Sequence, residues 1–140
     1  MTVHLTRKYW FAASHRLHSV ALTDAQNRET YGKCDNPHGH GHNYEVALTV
    51  TGPVHPVTGR AANLEALDAL ARREILEPLH HRNLNEEVAA FRTAVPTTEN
   101  LTLEVDRRLR AAWPEAIGAR LEKVRIWETD RNICELTEGE

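Results

Sequence analysis

His38-Gly39-His40-Gly41-His42 begins four residues after Cys34 and is the densest concentration of chemistry in the chain. Alternating glycines suggest an extended segment, in which residues two apart point the same way. Two imidazoles from such a segment can converge on one metal ion, and the intervening glycine lets the backbone approach whatever is bound. Zinc is the first candidate, because it takes neutral imidazole nitrogen and often uses three protein ligands in catalysis. The competing reading is a surface tract that picks up stray metal, since short motifs also match by chance.

Other residues around the tract could join it. His15 closes Phe11-Ala12-Ala13-Ser14-His15, and if that strand pairs with the one starting at Asn43, His15 comes close to His40 and His42. Three histidines with an open fourth position make a catalytic zinc site. Cys34 sits beside Lys33; a nearby cation lowers a thiol pKa and makes thiolate available as base or nucleophile. His80-His81 follows Glu77-Pro78-Leu79. The pair reads equally as a proton-exchanging site or as a solvated helix end. Glu128, in Trp127-Glu128-Thr129-Asp130, is a carboxylate able to accept two hydrogen bonds from a guanidine-like ligand edge. Pro96-Thr97-Thr98-Glu99-Asn100 offers hydroxyls and amides to a ligand, although ordinary helix capping accounts for it as well.

The elements that must position these residues follow from patterning. Val3 to Ser14 reads as a strand, and Asn43 to Thr51 as a stronger one with Tyr44, Val46, Leu48 and Val50 on one face. Gly52-Pro53 ends it, and Pro56 to Arg60 reads as a hairpin tip or bulge. Asn63 caps a helix through Leu64, Leu67, Leu70, Ala71 and Ile75 that Pro78 should stop. A second helix starts at Thr97 or Thr98, carries Leu101, Val105 and Leu109, and ends at Pro114. Leu121 to Trp127 and Asn132 to Thr137 close the chain as strands, while Arg16 to Pro37 reads as a long irregular connection. The order strand, strand, helix, helix, strand, strand predicts an α+β domain with helices on one sheet face. The open edges of so small a sheet suggest oligomerisation.

Composition narrows the class. At 140 residues the chain reads as one domain, 1–140, long enough to bury a core without disulfides. Its net charge is -3 with scattered basic residues, which points to neither nucleic acid nor membrane as partner. The two cysteines form no framework and no secretion signal opens the chain, so cytoplasm is the expected compartment. Nine histidines, several of them paired or clustered, point to a site.

These residues together resemble the 6-pyruvoyl-tetrahydropterin synthase family. The resemblance runs through Phe11 to Ser19, Gly32-Lys33-Cys34-Asp35-Asn36-Pro37, Gly39 to Tyr44, Pro53 to Gly59, Pro78 to Asn85, Thr97 to Asn100, Glu128-Thr129-Asp130 and the closing Gly139-Glu140. It implies four antiparallel strands with two helices between the second and third. It also implies sheets joined into a barrel by three subunits, two trimers stacked as a homohexamer, and active sites between subunits.

By the same resemblance His15, His40 and His42 match the zinc ligands and His38 does not. Cys34 matches the catalytic thiol, His81 the histidine of a catalytic Asp-His pair, Glu128 the carboxylate that anchors the pterin, and Thr97 and Thr98 residues lining its pocket. The implied substrate is 7,8-dihydroneopterin triphosphate, which loses triphosphate while its side chain is oxidised and its ring reduced. No nicotinamide is needed, in keeping with the absence of a Gly-x-Gly-x-x-Gly fingerprint.

One departure stands out. The family's aspartate is replaced by His80, which implies a weakened or reassigned proton relay. The nearest rival is 6-carboxytetrahydropterin synthase of the queuosine pathway, whose cysteine stands four residues before its first zinc histidine. Cys34 precedes His40 by six residues but His38 by four. A folate-pathway variant uses glutamate where this chain has Cys34. From a different class, a protein that binds pterin and zinc without catalysis is the remaining alternative.

Overall fold

The computed structural model describes residues 1–138; Gly139-Glu140, where the family resemblance ends, lie outside the described residues. β1 (Thr2–His15) and β2 (His40–Pro53) form a long antiparallel ladder. Its register runs from Thr2 opposite Pro53 to His15 opposite His40. β4 (Arg120–Trp127) adds to the far side of β2, and β5 (Ile133–Thr137) to β4, both antiparallel. A two-residue strand, β3 (Arg82–Asn83), lies parallel to β1 against Ala13 and Ser14. The order β3-β1-β2-β4-β5 therefore makes a mixed five-stranded sheet, where the resemblance implied four antiparallel strands. Two residues are too few to show any hydrophobic period, so β3 has no signature of its own.

Helices α2 (Leu64–Ala71) and α5 (Thr98–Ala112) fall between β2 and β4, as the apolar stripes require. Asn63 and Thr97 cap them through side-chain oxygens that accept from Ala66 N and Asn100 N. Leu67, Leu70, Leu101, Val105 and Leu109 pack with Tyr44, Val46, Leu48 and Val50 in one continuous core. Burial of this kind stabilises by about 25 cal/mol per Å² of apolar surface, which summed over the core outweighs any single hydrogen bond.

Pro78 does not stop the first helix. A wider π turn (Arg72–Leu76) takes the Glu77 N–H to Arg72 O and leads into α3 (Glu77–Leu79), which carries Pro78 in its first turn, where its missing N–H costs least. α4 (Leu84–Glu87) follows β3.

The connection 16–37 is also more ordered than its polar sequence suggests. α1 (Asp24–Tyr31) is closed by a capping box in which Thr23 and Gln26 exchange hydrogen bonds. Fully buried Asn27 accepts from Ser19 N and donates to Ser19 O and Thr23 O, which folds the loop around one amide.

Candidate metal centre

Strand alternation places His15, His40 and His42 on the helix-covered face, together with Phe11, Ala13 and Tyr44. One ligand nitrogen from each of the three histidines lies within 4.8 Å of the other two. His38 does not join them. Its N–H donates to Asn36 Oδ1 in the turn before β2, and its ring lines a cleft outside the cluster. Gly39 has a reason to be glycine: its φ is 73°, and a Cβ there would stand 3.1 Å from His15 O. The tract thus enters β2 pressed against the strand that carries the third histidine.

The proton arrangement of His15 follows from its neighbours. Nδ1 lies 2.8 Å from the Pro96 carbonyl, which can only accept, so Nδ1 carries the proton and Nε2 keeps a lone pair. That Nε2 lies 3.1 Å from His40 Nε2. Tyr44 Oη is 3.2 Å from His15 Nδ1 and braces the ring from behind. Burial, partly offset by Glu128, lowers the His15 pKa to about 4. Burial also lowers His42, whose Nε2 is buried without a hydrogen-bond partner. Three convergent imidazoles, one orphaned at its ligating nitrogen, fit a divalent metal of the zinc type.

Glu128 directly follows β4 beside this cluster, 3.7 Å from His42 Nε2 and 4.0 Å from His15 Nε2. Thr98 Oγ donates to its carboxylate at 2.7 Å, and Asn132 Nδ2 donates to Thr98 Oγ at 3.1 Å. Thr98 therefore orients Glu128, whereas the Thr97 hydroxyl is engaged in capping α5. Cys34 is held in place through its backbone: Leu17 N donates to Cys34 O at 2.8 Å. Next to it, Arg16 and His18 both bind Asp35, at 3.1 Å and 2.6 Å. Burial, followed by the charge of Glu128, raises the Cys34 thiol pKa, the opposite of the shift expected from Lys33.

His80 and His81 sit at the edge of β1, outside the triad. His81 lines a groove of about 550 Å³ with Ala12, Ala13, Ser14, Gly41, His42 and Asn43. Ala12, Ser14, Gly41 and Asn43 alternate with the triad positions, while His42 belongs to the triad. The two imidazoles stack, centroids 3.7 Å apart and planes 29° apart. His81 has φ 60° and is the non-glycine residue with a left-handed backbone among the described residues.

Sequence reasoning overlooked Tyr44 Oη, Asn132, the Asp35 clamp and Asn27 as site-building groups. Tyr44 carried a usable signal, since it lies two residues beyond His42 on the same strand face. The others are brought in by tertiary contacts that no local pattern reports.

Fold and site together define a histidine-triad protein built on a helix-backed β-sheet. The chain belongs to the 6-pyruvoyl tetrahydropterin synthase family, whose model matches residues 4–139. It is 45% identical over 130 residues to the 6-pyruvoyl tetrahydrobiopterin synthase of Poecilia reticulata, covering 93% of this chain and 86% of that one. The Homo sapiens protein of the same name is 43% identical over 129 residues, covering 92% and 87%. The solved structure of Caenorhabditis elegans 6-pyruvoyl tetrahydropterin synthase superposes with a TM-score of 0.90 at 38% identity, covering 99% of this chain and 97% of that one. No helix among the described residues is long and apolar enough to cross a membrane.

Proposed function

We propose that residues 1–140 form one pterin synthase domain that converts 7,8-dihydroneopterin triphosphate to 6-pyruvoyl-tetrahydropterin with loss of triphosphate. The observation that carries this reading is the convergence of His15, His40 and His42 beside Glu128. His15, His40 and His42 would hold zinc. Zinc bound there supplies Lewis-acid polarisation of the substrate's side-chain hydroxyls and a positive charge that opposes the raised Cys34 pKa.

The chain's own groups do the rest. Glu128, oriented by Thr98, accepts from the guanidine-like edge of the pterin. The Cys34 thiolate takes a proton from the substrate side chain, and His81 serves as the second proton carrier. Elimination of triphosphate leaves an enol that becomes the terminal ketone. The remaining side-chain alcohol is oxidised as the ring C=N gains two hydrogens, so the electrons balance within the substrate. A cleft of about 680 Å³ bordered by Arg16, His18, His38 and Arg92 suits the leaving polyphosphate.

The position of His81 at the edge of β1, outside the triad, supports completion of the site by a second copy of the chain, as in a hexamer with sites between subunits. The position of His38 outside the triad favours the pyruvoyl-forming spacing, with Cys34 six residues before His40.

The test is to incubate zinc-loaded protein with 7,8-dihydroneopterin triphosphate and identify the products by mass. A tetrahydropterin retaining three side-chain carbons, together with free triphosphate, is expected. Carboxytetrahydropterin with acetaldehyde would transfer the chain to the 6-carboxytetrahydropterin reaction. Pterin binding without turnover would leave a binding protein.

A further inference from the structure

We propose that His80 is a positioning residue: its ring nitrogen pins the edge of β1 and its ring face backs His81, so that the His81 imidazole is presented in one orientation. The effect on turnover rests on the function proposed above; the geometry does not.

Ala12 shows why a side chain is needed there. Its N–H and C=O point away from β2, toward the edge where β3 arrives, and β3 pairs only with Ala13 and Ser14. The residues just before β3 fill the gap. His81 N donates to Ala12 O at 2.6 Å. The Ala12 N–H donates to His80 Nδ1 at 3.0 Å. An imidazole lone pair thus replaces the carbonyl that a longer β3 would have supplied.

Three consequences follow. As an acceptor, His80 Nδ1 is unprotonated, so the neutral ring carries its proton on Nε2. With Nδ1 engaged and Nε2 only able to donate, His80 has no acceptor left to orient the His81 proton. It acts on its neighbour instead through the stacked contact, centroids 3.7 Å apart. Finally, His81 is held in a left-handed conformation that a β-carbon disfavours and that persists only where the surroundings fix it. The Ala12 carbonyl and the His80 ring are those surroundings. The departure at position 80 is therefore a change of device: a backbone clamp stands where a charged relay partner would be.

The experiment compares wild type with His80→Ala, His80→Asn and His80→Gln. An asparagine oxygen occupies the place of Nδ1, whereas a glutamine amide reaches the place of Nε2. Nitrogen-15 spectra of histidine-labelled wild type should show His80 as the Nε2–H tautomer. Amide exchange at Ala12 should speed up about tenfold in His80→Ala and His80→Gln but stay slow in His80→Asn. On the pterin substrate, kcat should fall about tenfold in His80→Ala with KM little changed, and His80→Asn, which restores the clamp but not the stacked ring, should recover only part of that loss.

Equal Ala12 exchange in wild type and His80→Ala would overturn the proposal. So would an Nδ1–H tautomer, or full kcat in His80→Asn, in which no ring backs His81. If wild type itself does not turn the pterin over, the functional reading fails, and the exchange and tautomer data still decide the clamp. Should His80→Ala fail to fold, the asparagine and glutamine variants carry the same comparison.

Discussion

The metal-free protein should lose stability in mild acid because of His15. The ring is fully buried with its Nδ1 proton given to Pro96, and burial lowers its pKa from 6.5 to about 4. Below about pH 6.5 the unfolded chain therefore binds a proton that the folded chain refuses, so stability falls as pH falls. Above that pH the penalty vanishes. At the acid limit the gap corresponds to about 3 kcal/mol, and between about pH 7 and about pH 5 to about 2 kcal/mol. His15→Asn isolates this effect, because its amide can still donate to Pro96 but does not titrate. Urea unfolding of both proteins in chelator, at equal concentration and at the two pH values, measures the difference. His42, whose pKa is also lowered, is common to both and cancels. Wild type should lose about 2 kcal/mol more than the variant over this interval. Parallel losses would show that His15 is not held neutral by burial, and the account of its free Nε2 would fail with it.

Other outcomes follow from the same geometry. His40→Ala and His42→Ala should each weaken zinc binding at least ~100-fold while His38→Ala leaves it unchanged. Competition against a chromophoric chelator reads this, and loss on His38→Ala would redraw the ligand set. Gly39→Ala should destabilise the fold by about 1–2 kcal/mol and lower metal affinity, because it forces a β-carbon into a left-handed backbone against His15 O. Unchanged melting and metal binding would refute that close approach. In the metal-free protein Glu128→Gln should speed alkylation of Cys34 about threefold near neutral pH, since the carboxylate charge helps keep the thiol protonated. Mass mapping separates Cys34 from Cys134, and an unchanged rate would place Glu128 too far away to matter.

Half of the site could be read in the sequence because it obeys a period. His40, His42 and Tyr44 alternate on one strand, His15 ends the strand that pairs with it, and a register of two long strands suffices to bring them together. The helices were readable for the same reason: Leu67 and Leu70, or Leu101, Val105 and Leu109, recur at the helical spacing and are all buried. The remainder obeys no period. Asn27 and Asp35 hold the Cys34 loop through small clusters of polar contacts that are satisfied only once the loop has closed. His80 and His81 read equally as a proton-exchanging site or a solvated helix end, because their placement depends on where the edge of β1 runs out of partners. Ala12 contributes only backbone, and backbone is silent in a sequence. This is why motif reading could point to the histidine triad yet offered His80 only as a weakened or reassigned relay partner. A metal ligand is recognised by residue type and spacing, but a residue that replaces a missing strand is recognised only by the hydrogen bond it completes.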